Sequence, residues 1–209
     1  MQYKQVKRQQ MLAAANKLFS EYGFEKTTMQ KIADESRVGV ATVFRYFPKK
    51  ELLIIEVVKE VIEEMVPRFE TIAALSLSGY EKMDAILDAY IDYLFSANRE
   101  AVTLLESFEH FIAYNPMEKP LIEEIYNTYT KIGYIVNQSI QEGVQDGSIS
   151  LDSAGQMNAI TIMNLFGTAI KKHAFNSLLS DVTVSTPTKE QLSQLKSIIM
   201  FYFKTGTHN

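Results

Sequence analysis

The sequence predicts an all-α fold of about nine helices. Apolar residues recur at intervals of three and four along almost the whole chain of 209 residues, which is the repeat of an amphipathic helix. Gly, Asn, Pro and Ser mark the breaks between these stretches. No stretch shows a sustained alternation of β-branched residues with polar ones, so we expect no sheet.

One amphipathic helix is predicted at the N-terminus, from about Gln5 to Tyr22. Its apolar positions, Met11 and Leu18 among them, fall on one face. Gly23 is predicted to end this helix, because glycine adopts the left-handed conformation of a C-cap at little cost.

Two short helices around a turn follow. Thr27 or Thr28 caps the first of them, since a threonine hydroxyl can accept a hydrogen bond from a free N–H of the first turn. Residues 36–39 read as a turn, and the second short helix runs from about Val40 until Pro48 closes it. These dimensions predict a helix-turn-helix within a domain at residues 1–50.

A larger helical domain is predicted at residues 51–209. A long amphipathic helix begins at Lys49, and Pro67 kinks or ends it. Further helical patterns cover about 79–97, 100–113, 118–146, 152–179 and 188–204.

The charges are distributed unevenly. The net charge of the chain is −4, but residues 1–55 hold ten Lys or Arg against five Asp or Glu, a balance of +5. This asymmetry predicts a basic module that faces phosphates and an acidic remainder.

Several classes of protein are disfavoured by composition. The absence of cysteine excludes disulfides and cysteine-ligated metals. Glu106, Glu109 and His110 have the spacing of metal ligands, but the chain has only three histidines, so we predict neither metal nor cofactor. No apolar run approaches the roughly 18 residues of a membrane span, and the start has no signal core. We therefore expect no membrane partner, a cytoplasmic location and no enzymatic activity.

The stretch GFEKTTMQKIADESRVGVATVFRYFPKKEL, from Gly23 to Leu52, resembles the DNA-binding domain of the TetR (tetracycline-repressor) family of bacterial regulators. The preceding Leu18-Phe19 pair matches too, and the resemblance covers roughly a quarter of the chain. It implies a ligand-responsive transcriptional repressor that binds a palindromic operator as a homodimer and is released by a small apolar or amphipathic molecule. The matching positions are Gly23, Phe24, Thr27, Thr28, Ile32, Ala33, Val38, Thr42, Phe44, Tyr46, Phe47, Lys50, Glu51 and Leu52.

Three positions depart from the family pattern. Arg37 stands where the family usually has a glycine with positive φ, so backbone strain or an altered turn is expected. Gly39 and Ala41 give the start of the recognition helix little reach. Phe44 replaces a commoner tyrosine, and we expect it in the core beside Phe47.

A recognition helix places its N-terminal residues at the base edges of the major groove. Arg37 suits guanine, Gln30 suits adenine, and small residues suit thymine methyls. Thr28 is also explained as a helix cap, and Lys49 and Lys50 as a solvated helix start. The predicted DNA-binding residues are Thr28, Gln30, Arg37, Gly39, Val40, Ala41, Thr42, Arg45, Tyr46, Lys49 and Lys50.

The last two long helices are predicted to form the homodimer. One carries AITIMNLFGTAI from Ala159 to Ile170, and the other carries an apolar stripe; the alternative is that both are intrachain core. The stripe comprises Leu192, Leu195, Ile198, Ile199 and Tyr202.

The effector is expected to bind among aromatic, Met and Asn residues between 97 and 170, although such residues are often plain core. Tyr114, Tyr126, Tyr134 and Met157 are further candidates for the lining. The predicted ligand-binding residues are Phe108, Phe111, Tyr129, Asn137, Met163 and Phe166.

Two other functions stay open from the sequence. One is a DNA-binding activator, or a regulator controlled by a partner protein without an effector. The other is an all-α ligand-binding or catalytic protein whose N-terminal motif is only structural.

Overall fold

A computed structural model describes residues 2–95, 99–152, 161–169 and 188–205. These residues form helices joined by short turns, with no strand among them, which confirms the all-α prediction. None of these helices combines the length and apolar character that a membrane span requires. The helices are α1 (Gln2–Lys26), α2 (Met29–Glu35), α3 (Val40–Tyr46), α4 (Lys50–Glu63), α5 (Val66–Ala73), α6 (Gly79–Phe95), α7 (Arg99–Tyr114), α8 (Lys119–Gln145), α9 (helical residues 161–169) and α10 (Lys189–Thr205).

The first helix bends where the sequence predicts its end. Gly23 has φ 78° and ψ 167°, which interrupts the helical backbone before a last helical turn up to Lys26. Only glycine adopts such a positive φ at little cost. The bend directs the chain into α2.

Thr27 and Thr28 have different roles at the start of α2. Thr28 is the N-cap, and its hydroxyl accepts a 3.2 Å hydrogen bond from the Lys31 N–H. The buried Thr27 instead donates its hydroxyl to the carbonyl oxygens of Leu18 (3.1 Å) and Gly23 (2.9 Å). The two threonines therefore fix α2 against the end of α1.

The helix that follows the helix-turn-helix is shorter than the sequence suggests. It ends at Glu63, and α5 starts at Val66 with Pro67 in its first turn. Proline is tolerated there because its missing N–H has no intrahelical partner. The break thus precedes the proline.

The chain forms two compact units, and the first comprises Met1–Glu63 and Thr103–Thr128. In this unit α1 packs on α2 and α4, and α2 packs on α3. Phe24, just after the bend, has its ring centroid 4.9 Å from that of Phe19, 5.3 Å from Phe111 and 6.1 Å from Phe108. This aromatic cluster joins α1 to α7.

The second unit comprises Glu64–Val102 and Tyr129–Asn209. Here α6 packs on α5 and α10. The first residue of α6 is Gly79. It packs so closely against α8 that a Cβ atom added to it would lie 2.1 Å from the backbone nitrogen of Gly143. The domain boundary expected near residue 50 stays a prediction.

Candidate functional site

The helix-turn-helix is anchored by one face of its second short helix. Val43 and Phe47 are buried, and because they are four residues apart they lie on the same face of α3. The Gly39 carbonyl accepts hydrogen bonds from the N–H groups of Thr42 (2.8 Å) and Val43 (3.3 Å), which starts the helix. The opposite face of α3 exposes Ala41, Phe44 and Arg45.

Phe44 is 48% exposed, so the prediction that it is a core residue was wrong. Each helical residue turns by about 100°, which places the Phe44 side chain about 100° around α3 from the buried Val43 and toward solvent. The i, i+4 spacing of Val43 and Phe47 was the signal that could have identified it. An exposed aromatic ring on the recognition face is a candidate DNA contact that the sequence reasoning missed.

Arg37 keeps the backbone conformation that the family gives to glycine. Its φ is 56°, so of the two expected alternatives the structure has the strained backbone, and its N–H donates a 3.2 Å hydrogen bond to the Asp34 carbonyl. A left-handed conformation costs a non-glycine residue about 1–2 kcal/mol. The side chain is exposed in the turn before α3, and its contact with a base stays a prediction.

The predicted second reader already has a hydrogen-bond partner. Gln30 is exposed on α2, and its Nε2 donates to Oδ1 of Asp34 at 2.8 Å. Pairing with adenine would replace this exposed bond. The adenine contact stays a prediction, as does the phosphate contact of Thr28.

Lys50 has a structural role in the unit. Its Nζ donates to the carbonyl oxygens of Phe24 (2.6 Å), Thr27 (2.9 Å) and Glu25 (3.4 Å). Burial lowers the pKa of Lys50 below its ordinary value. The ammonium group of Lys50 therefore caps the C-terminal end of α1. A phosphate contact, as predicted, would have to compete with these hydrogen bonds.

Lys49 is also paired. Its Nζ lies 2.7 Å from Oε1 of Glu118 at the start of α8, and this hydrogen bond raises the pKa of Lys49 and lowers that of Glu118. Both side chains are largely exposed, so solvent screens the pair. A phosphate can displace Glu118, and the phosphate contact of Lys49 stays a prediction.

The remaining predicted contacts lie along α3. Arg45 is exposed, and its Cζ lies 5.9 Å from the ring centroid of the half-buried Tyr46. Gly39 and Ala41 are exposed at the start of the helix, whereas Val40 and Thr42 are half-buried there. The structure thus places these residues on α3 or directly before it.

The predicted effector residues are divided between the two units. Phe108 and Phe111 belong to the first unit and pack on Phe24. The remaining four belong to the second unit, where Met163 and Phe166 are buried; these four are Tyr129, Asn137, Met163 and Phe166.

Three of the further candidates do not line an interior. Tyr114, Tyr126 and Tyr134 are 84%, 66% and 67% exposed, so their prediction as interior lining was wrong. Helices α7 and α8 turn these side chains outward. Met157 lies outside the described residues.

A half-buried tyrosine that the sequence reasoning missed, Tyr90, lies in the second unit. The ring of Tyr90 is 4.7 Å from that of Phe69 and 6.5 Å from that of Phe166. Burial raises the pKa of Tyr90 far above its ordinary value. Its hydroxyl makes no hydrogen bond within the part of the chain that the structure describes. Tyr90 precedes the region in which the effector site was sought.

The predicted dimer helices have both a buried and an open face. Leu192 and Ile199 are buried, so this part of the α10 stripe is intrachain core. Ile198 and Phe201 are 65% and 67% exposed on the other face of α10, and Leu165 of α9 is 64% exposed. Ala159 and Ile170 lie outside the described residues.

Residues 11–57, which contain the helix-turn-helix, match the family model of bacterial regulatory proteins of the tetR family. Over these residues the chain therefore carries the DNA-binding domain of the TetR family. Over 214 residues it is 26% identical to the fatty acid metabolism regulator protein of Bacillus subtilis (strain 168), and the match covers 100% of both chains.

The fold of the chain is also that of solved structures. One is the transcriptional regulator FadR from Bacillus subtilis in complex with stearoyl-CoA, with a TM-score of 0.70 and 18% identity over 96% of this chain and 100% of that one. Another is a TetR transcription regulator from Haloarcula marismortui, with a TM-score of 0.70 and 16% identity over 95% and 97% of the two chains. The resemblance predicted from the sequence is confirmed, and the protein is a transcriptional regulator rather than an enzyme.

Among the described residues, the carboxylates of α7 do not form a metal-binding cluster with His110. Oε1 of Glu106 lies 3.7 Å from Nε2 of His110, an ordinary i, i+4 pair. Across the described ranges, no group of three or more His, Asp or Glu side chains is placed to hold a metal ion.

Proposed function

We propose that this TetR-family regulator is a repressor that binds a palindromic operator as a homodimer and releases it when an effector binds. The observation that carries the proposal is the open face of α3, where Phe44 and Arg45 are exposed beside the Arg37 turn. A single helix-turn-helix makes few base contacts, so specific binding needs two copies about 34 Å apart on the duplex.

We assign sequence reading to the turn and the start of α3. Arg37 is the reader of guanine and Gln30 of adenine, while Gly39, Val40 and Ala41 meet thymine methyls. Hydroxyl and cationic groups that surround these base-reading residues would bind the phosphates. These are Thr28, Thr42, Arg45, Tyr46, Lys49 and, where it can leave its carbonyl partners, Lys50.

The homodimer is assigned to the outer faces of α9 and α10. Leu165, Ile198 and Phe201 present apolar surface there. Two copies of such a pair of helices can bury it in a four-helix arrangement. Within this scheme residues 1–50 bind DNA, residues 51–209 bind the effector and form the dimer, and the protein acts in the cytoplasm.

The effector is assigned to the second unit and to the class of amphipathic acyl compounds. The support is the aromatic surroundings of Tyr90, whose hydroxyl makes no hydrogen bond to any described residue, and the stearoyl-CoA bound by the Bacillus subtilis FadR of similar fold. The effector and the operator must prefer different conformations. A hundredfold loss of operator affinity requires about 2.7 kcal/mol of coupling.

The proposal is tested by selecting operators from a random duplex library with the full-length protein. We expect a palindromic consensus, two protomers bound per duplex, and release by stearoyl-CoA but not by coenzyme A lacking the acyl chain. Enrichment of no sequence would overturn DNA recognition. Release by neither compound, with intact operator binding, would overturn the effector class alone.

A further inference from the structure

The first two turns of α1 form a basic surface that no assigned DNA contact uses. Residues 1–20 contain four Lys or Arg and no Asp or Glu, and the first turn of α1 holds no acidic residue. Tyr3 is 72% exposed, Lys4 is exposed, and Nζ of Lys7 lies 4.6 Å from the centroid of the Tyr3 ring.

These two lysines differ from the cations expected to hold phosphates. Lys49 is paired with Glu118, and Lys50 is held by backbone carbonyls. For Lys4 and Lys7, by contrast, no carboxylate of the described chain lies within ion-pair distance. A phosphate that approached them would have no acidic group to displace.

Arg8 fixes this surface close to the recognition helix. Its Cζ lies 5.5 Å from the centroid of the Phe47 ring, directly after α3, and its guanidinium is also bonded to Glu56 of α4. Lys4 precedes Arg8 by one helical turn, about 6 Å along the helix axis. The lysines therefore lie within about one helical turn of the residue whose side chain contacts Phe47 at the end of α3.

We propose that Tyr3, Lys4 and Lys7 form a second DNA-backbone site, which binds phosphates that flank those held by α3. The site contributes affinity without sequence preference, because phosphates carry no base identity. It rests on the proposed operator binding and extends it.

The test compares the wild type with the double variant Lys4→Ala/Lys7→Ala on the selected operator at several salt concentrations. Each phosphate contact contributes about 0.9 to the slope of log affinity against log salt. Losing two contacts in each protomer lowers the slope by about 3.6, so the affinity advantage of the wild type shrinks about a hundredfold between about 50 and 200 mM salt. Ethylation interference is expected to disappear at the flanking phosphates only.

Two matched variants control for folding and for net charge. Lys131→Ala/Lys189→Ala removes the same charge from the second unit and is expected to keep the wild-type slope. Lys4→Arg/Lys7→Arg keeps the charge and is expected to keep both the slope and the flanking interference.

The outcomes separate the two proposals. If the wild type binds no operator, the proposed function fails. If the wild type binds, and Lys4→Ala/Lys7→Ala keeps its slope and its flanking interference, the second backbone site is refuted while the helix-turn-helix contact stands.

Discussion

The Nζ atom of Lys50 lies 2.9 Å from the carbonyl oxygen of Thr27 and 2.6 Å from that of Phe24, so the start of α4 closes the end of α1. The last carbonyls of a helix have no intrahelical donor, and a cation there satisfies them. Lys50 thus holds the bend after Gly23 in the conformation that places α2.

Replacing Lys50 by Ala is therefore expected to destabilise the fold as well as to affect DNA binding. Hydrogen bonds from a charged donor contribute about 1.5–3 kcal/mol each, and because Lys50 is partly exposed we expect a net loss of about 1–2 kcal/mol in the free energy of unfolding. Denaturant unfolding of the wild type and Lys50→Ala measures it. Lys49→Ala, which removes an exposed ion pair, is the control and should unfold like the wild type. Equal stability of Lys50→Ala and the wild type would contradict the structural role.

Arg37 allows backbone strain to be separated from base recognition. Glycine at this position relieves the positive φ, so Arg37→Gly is expected to raise the free energy of unfolding by up to about 1 kcal/mol. Arg37→Ala removes the guanidinium and keeps the strain, so it should show no such gain. Both variants should lose discrimination at one operator position by about 1–3 kcal/mol. Affinities for operators substituted at each position provide the measurement; unchanged preference in both variants would exclude base reading by Arg37.

Val43 and Phe44 form a matched pair on the two faces of α3. Phe44→Ala should change the free energy of unfolding by less than about 0.5 kcal/mol, because the ring is largely exposed, but it should weaken operator binding. Val43→Ala opens a cavity in the buried face and should cost about 1–3 kcal/mol of stability. Thermal unfolding together with operator titration of both variants distinguishes the roles. Full operator affinity in Phe44→Ala would remove that ring from the DNA interface.

The helix-turn-helix was predictable because its signals are local. A cap at Thr28, a turn with Arg37 in a glycine position and a proline after α3 are read from neighbouring residues alone. The buried face of α3 was predicted wrongly, because Phe44 was placed in the core by residue type although the i, i+4 spacing of Val43 and Phe47 indicates that face.

Contacts between distant residues left no comparable signal. Lys50 meets carbonyls 23 to 26 residues earlier, and backbone oxygens do not appear in a side-chain pattern. The effector prediction gathered aromatic residues by type, although Phe108 packs on Phe24 in the first unit while Phe166 lies near Tyr90 in the second. Residue type alone could not assign these aromatic residues to the two units.

The open face of α10 leads to a prediction about assembly. Ile198→Glu places a charge on a 65% exposed apolar position, so it should leave the fold of the protomer intact and weaken the dimer. Burial of an unpaired charge in an interface is strongly unfavourable. Sedimentation velocity over a range of concentrations measures the dissociation. The control Tyr134→Glu changes an equally exposed position of α8 and should remain dimeric. A dimer of unchanged affinity in Ile198→Glu would place the interface elsewhere.

Tyr90 provides the sharpest test of the effector site. Tyr90→Phe keeps the ring between Phe69 and Phe166 but removes a hydroxyl that makes no hydrogen bond within the described chain, so the free energy of unfolding should stay equal or rise slightly. If that hydroxyl donates to the carbonyl of a bound acyl group, its loss costs about 1 kcal/mol, or about fivefold in affinity for stearoyl-CoA.

The matched variant is Tyr93→Phe, in the same helix. The Tyr93 hydroxyl lies 3.4 Å from Oε2 of Glu64, so its removal should lower stability and leave the affinity for stearoyl-CoA unchanged. Titration calorimetry and denaturant unfolding of the two variants give the comparison. A Tyr90→Phe protein that binds stearoyl-CoA as tightly as the wild type would show that this hydroxyl does not touch the ligand, because a donor buried against a carbonyl cannot be lost without a measurable weakening.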